Sequence, residues 1–157
     1  MRPRVRFEGV IYGQIVATAV VVALSEDSAL DARAVLLWLV VTMLVFWLAH
    51  AYADVIAAQL GRDTPSLAVQ VGHSMRREWP IAQAAGVPGV ALVLGWAGLL
   101  SNETAINLAI ALGVMQLALW GFAISRSKRL TLLGTLAVTG VSSAFGLALV
   151  GLKVLVH

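Results

Sequence analysis

The sequence predicts an all-α protein, a single membrane domain over residues 1–157 built as an integral bundle of five transmembrane helices. Three observations lead there. The chain is 60% apolar, with a mean hydropathy of +0.90. Only 12% of its residues are charged, about half the share of a soluble domain. Its apolar residues gather in long runs separated by short basic clusters. A soluble fold of this size must cover its surface with polar groups, and 11 basic plus 8 acidic residues cannot do that. A disordered chain is excluded for the same reason.

The five predicted spans run over about 9–24, 34–58, 81–100, 105–124 and 130–156, with a polar connection over about 59–80. The last four reach the roughly 20 residues that a bilayer requires at about 1.5 Å per residue. The first reaches it when its helix begins near Val5. Its basic start and Val21-Val22-Ala23 resemble a signal peptide, but Glu8, Tyr12 and Gln14 interrupt the opening, and the segment is read as retained.

Basic residues set the orientation. Arg2, Arg4, Arg6, Arg62, Arg76, Arg77, Arg126, Lys128 and Arg129 all fall on one side of a five-span chain, leaving only Arg33 and Lys153 opposite. The positive-inside bias then places the N-terminus in the cytoplasm and the C-terminus outside a cell membrane. Arg76, Arg77, Arg126, Lys128 and Arg129 are the expected contacts to anionic lipid headgroups. A basic balance arranged this way reflects topology, and no nucleic-acid partner is expected.

Local signals refine the elements. Pro88, between Gly86 and Gly89, predicts a kink or break over about 84–89. Thr64-Pro65-Ser66 can start a short interfacial helix with Leu67, Val71 and Met75 on one face and an exposed His73. Small residues recur at Ala49, Ala53 and Ala57, and again at Ala105, Ala109, Gly113 and Gly121. Such stripes let helix backbones approach closely in lipid, within a protomer or in a homo-oligomer. Asn107 and Gln116 lie on opposite faces of the fourth span, so each is expected to bond a neighbouring helix. Trp79 suits an interfacial belt, and Trp38, Trp47, Trp96 and Trp120 suit packing or lipid contact.

Few side chains can carry chemistry. His50 and Asp54, four apart, share a helical face, as do Glu8 and Tyr12 on the first helix. If the two helices are neighbours, these four converge into a polar network or a transport site. Glu8, Asp54 and His50 have the chemistry to hold a hard or borderline cation, but the metal, if any, is not legible. The competing reading is a satisfied structural cluster near the headgroups. Cysteine is absent, and no nucleophile elbow, phosphate loop or zinc helix occurs, so neither an enzyme nor a cofactor is expected.

Arg6-x-Glu8 and Trp47-x-x-His50 partially resemble motifs in bacterial relatives of the lysosomal potassium channel. The resemblance implies an interhelical polar network of Arg6, Glu8, Trp47 and His50. Val10-Ile11-Tyr12 stands where that family has Phe-Ser-Asp, and the family usually has six helices. The five-span topology with an insertion after the second span also resembles vacuolar iron transporter-like proteins. Between Gln59 and Pro80, however, only Asp63 and Glu78 are acidic, which argues against iron transport. Two functions follow: a protomer of an ion channel or transporter, or a non-catalytic membrane subunit presenting its basic loop to a partner or to anionic lipid.

Overall fold

A computed structural model describes residues 7–59 and 66–127, and further on positions 131, 133, 136, 140, 141, 144, 148 and 151; Phe7, Glu8, Ile124, Ser125 and Ser127 are described by backbone alone. The described residues form five helices and no strand: α1 (Phe7–Leu24), α2 (Ala32–Gln59), α3 (Leu67–Gln83), α4 (Gly86–Trp96) and α5 (Asn102–Ser127). Positions 133, 136, 140, 141, 144, 148 and 151 are also helical. The rest of the fifth predicted span, with Lys128 and Arg129, lies outside the described residues.

The helix ends follow local chemistry. Asp31 caps α2, its Oδ1 accepting the Ala34 amide at 2.7 Å, and Ser101 caps α5, its Oγ accepting the Thr104 amide at 3.2 Å. Past α4 the Leu99 amide bonds the Leu94 carbonyl at 3.0 Å and the Gly98 amide the Gly95 carbonyl at 3.0 Å. That Schellman pattern needs a left-handed residue, and Gly98 supplies it with φ 74°.

Two helices, α2 and α5, are long and apolar enough to cross a membrane. The α3–α4 pair passes the same test when taken together, bent by 56° at its break. Here the sequence and the structure differ. The predicted third span, 81–100, comprises the last turn of α3, a break at Ala84–Ala85, and all of α4. The predicted polar connection contains most of α3, which is 17 residues long. The break lies within the stretch expected around Pro88, and the reason is backbone chemistry. Pro88 has no N–H to offer the Ala84 carbonyl, which favours a break there, although α3 carries Pro80 without one. In the first turn of α4 that missing donor costs nothing.

Helix α1 packs against α2, α3 and α5; α2 packs against α3 and α4, and α4 against α5. The core draws on Ala17, Val21, Val35, Leu39, Leu92 and Ala109, all fully buried. Close approach depends on small residues. A Cβ on Gly113 would come within 2.5 Å of Thr18 Oγ1, and one on Gly13 within 2.8 Å of the Ile81 carbonyl oxygen. The stripe Ala105, Ala109, Gly113 and Gly121 is buried, whereas Ala49, Ala53 and Ala57 on α2 are exposed.

Candidate functional site

Helix α3 turns one polar stripe to the protein and leaves His73, Arg76 and Arg77 exposed. Gln70, Ser74 and Glu78 are buried, while Leu67 and Val69 are 59% and 62% exposed. Buried polar groups need hydrogen-bond partners. The partners come from the C-terminal half of α2. Gln59 Nε2 donates to Gln70 Oε1 at 2.8 Å, and Gln70 Nε2 reaches the Val55 carbonyl at 3.5 Å. Ser74 Oγ donates to Asp54 Oδ2 at 2.8 Å. Arg77 Nη1 donates to Asp54 Oδ1 at 3.2 Å, and Arg77 Nε lies 3.8 Å from Glu78 Oε1.

Beside this network a cavity of about 390 Å³ opens between α1, α2 and α3. Tyr12, His50, Asp54, Arg77 and Glu78 bring polar groups to its wall, and Gly9, Ala53 and Ala57 keep the wall low. The Tyr12 and His50 rings are 5.1 Å apart, so α1 and α2 are neighbours at this level, as the sequence reading required. His50 Nδ1 donates to the Phe46 carbonyl at 2.8 Å. A carbonyl can only accept, so Nδ1 carries the hydrogen and Nε2 is the nitrogen left to take a proton or a ligand.

Tyr12, His50 and Asp54 thus line one cavity, but His50 and Asp54 share no hydrogen bond. The imidazole turns back one turn to Phe46, and the carboxylate is taken by Ser74 and Arg77. The Glu8 backbone begins α1 at the same end, and its side chain lies outside the described residues. Arg77, expected at the lipid headgroups, is exposed and also reaches Asp54 and Glu78, whose carboxylates offer it charge-assisted bonds. Arg76 is exposed, and the Arg126 guanidinium sits 5.9 Å from the Phe122 ring centre. Among the described residues no group of three or more His, Cys, Asp or Glu could hold a metal ion.

The motif residues Trp47 and His50 look to different helices. Trp47 Nε1 donates to the Met75 carbonyl at 2.9 Å and its ring meets Trp79 edge-on at 5.2 Å, whereas His50 packs on Tyr12 of α1. Arg6 lies outside the described residues. Gln59, Gln70, Ser74 and Glu78 were not singled out from the sequence. The signal for Gln70, Ser74 and Glu78 was present in their spacing, a polar stripe of helical period opposite Val69 and Gly72.

At the opposite end a second cavity of about 360 Å³ is lined by Asp27, Asp31, Asn102, Glu103 and Asn107. Its polar groups mostly serve the loops: Asp31 caps α2, and Asn102 Oδ1 accepts the Ala32 amide at 3.2 Å. Gln116, read as a bond to a neighbouring helix, has its Oε1 buried with no partner among the described residues. No family model, curated protein or solved structure matches the chain.

Proposed function

We propose that this chain is a five-span protein of the cell membrane, N-terminus in the cytoplasm and C-terminus outside, acting as a protomer of a small ion transporter or channel. One observation carries the transport reading: the His50–Asp54–Arg77–Glu78 cavity abuts a broken helix pair. Helices interrupted within the membrane characteristically border ion and substrate sites, because the break frees backbone groups and permits motion. Among the described residues the wall brings together His50, Asp54, Arg77 and Glu78, ionisable groups of the kind that suit a cation or a proton. In this reading α3 and α4 together make the third span. The described basic residues support the orientation, since Arg76, Arg77 and Arg126 lie at the end where α1 begins, and Arg33 lies at the other.

A second reading, a non-catalytic membrane subunit, is favoured by the packing beyond the cavity. Val21, Val35, Leu39, Leu92 and Ala105 are fully or almost fully buried there and form an apolar layer. Flux measurements in proteoliposomes across several monovalent and divalent cations and protons separate the two. The transport reading expects flux that Asp54→Asn abolishes or reshapes in ion preference. Silence of the wild-type protein towards every ion would leave the subunit reading in its place. Orientation is checked by cysteine labelling, since the native chain has no cysteine: Ser127→Cys should react from the cytoplasmic side and His157→Cys from outside.

A further inference from the structure

On the outer side of the same helix lies a feature that the ion cavity does not use. Gly72, Met75, Arg76 and Trp79 of α3, with Trp47 of α2, line a groove of about 310 Å³. The four α3 positions are spaced i, i+3, i+4 and i+7, so they form one continuous stripe. Trp47 is the floor, fixed by its bond to the Met75 carbonyl and its edge-on contact with Trp79. Apart from Arg76 the lining is apolar.

Two details say what the groove is for. A Cβ on Gly72 would meet nothing within 4 Å. Glycine is the poorest helix former after proline, and here no described neighbour requires it; its effect is to leave the groove open. Arg76, in contrast to Arg77, makes no ion pair or hydrogen bond with any described residue, and it is exposed. An apolar trough with an unpaired guanidinium beside it complements a molecule with a hydrocarbon chain and an anionic head. The level is right as well. The exposed apolar surface of α2 runs from Leu37 to Ile56, about 29 Å at 1.5 Å per residue and close to the hydrocarbon thickness of a bilayer. Ser74 and Arg77 bond Asp54, two residues from the boundary that Ile56 marks.

We infer that this groove is a binding site for an anionic phospholipid, one acyl chain lying along Gly72, Met75 and Trp79 over Trp47, and the phosphate paired with Arg76. The inference rests on the membrane reading above, not on transport.

The test uses the full chain in detergent and in vesicles. Carbonate washing of membranes first checks integration. Native mass spectrometry then counts retained phosphatidylglycerol against phosphatidylcholine with the same chains. A single guanidinium at a membrane surface predicts about a fivefold preference for phosphatidylglycerol. Arg76→Gln should bring that preference to parity, and Gly72→Leu, for which there is room, should reduce retention of both lipids with an unchanged melting temperature. Glycerol phosphate, the head without chains, should not compete. Equal retention of the two lipids by the wild-type protein, retention unchanged by Gly72→Leu, or full competition by glycerol phosphate would each overturn the groove while the membrane reading stands. Release of the protein by carbonate would overturn both.

Discussion

The contacts α1–α5 and α2–α3 hold their helices together by opposite means. Between α1 and α5 the backbones close on one another: Gly113 faces Thr18, whose hydroxyl is turned back to the Gln14 carbonyl at 2.8 Å. Gln14 and Thr18 are both fully buried. Between α2 and α3 the link is made by side chains, through Gln59–Gln70, Asp54–Ser74 and Asp54–Arg77. The two solutions address one problem. Lipid tails are as apolar as leucine, so helices gain little by hiding hydrocarbon from them, and packing or hydrogen bonds must supply the association. The difference is in what each leaves behind. Close packing leaves no space and one arrangement. Side-chain bridging leaves the cavity beside Asp54.

The largest effect should come from breaking the close approach. Gly113→Val places carbon where Thr18 already stands and should cost about 1–3 kcal/mol or more through overpacking, read as a lower melting temperature in a mild detergent. Next is Asp54→Ala, which leaves Ser74 and Arg77 without their acceptor. The Asp54 side chain is 25% exposed, so water relieves part of the loss and about 1–2 kcal/mol is expected. A double-mutant cycle of Asp54→Asn with Arg77→Gln should give a smaller coupling, about 0.5–1 kcal/mol, because Arg77 is 39% exposed and screened by solvent. Coupling between His50→Ala and Asp54→Ala should be smaller again, below about 0.5 kcal/mol, since the two side chains share no bond; a larger value would mean that they meet. At the bottom stands Gln14→Met. Gln14 Oε1 is buried without a partner among the described residues and its amide bonds are long, 3.4 and 3.5 Å. Substitution by an apolar side chain of similar shape should change stability by less than about 1 kcal/mol and in the stabilising direction. A large loss there would show that the polar group is part of the α1–α5 link after all.

Composition and periodicity determined by themselves that this chain is helical and apolar, where α1, α2 and α5 begin and end to within a few residues, and that the helix containing Pro88 breaks. These properties are local: a run of apolar residues, a capping aspartate and a missing amide hydrogen act within a turn or two of chain. The pairing of His50 with Asp54 on one face was equally legible, because helical spacing alone places them there. Which groups each then chose was not. Asp54 took Ser74 and Arg77 from 20 and 23 residues away, and His50 took its own helix. Only the tertiary structure decided that α3 turns its polar stripe inward, because the same amphipathic sequence serves a helix lying on a membrane surface or one packed beside α2. The choice depends on whether a partner carboxylate and amide wait opposite, and that is set by the packing of the whole bundle.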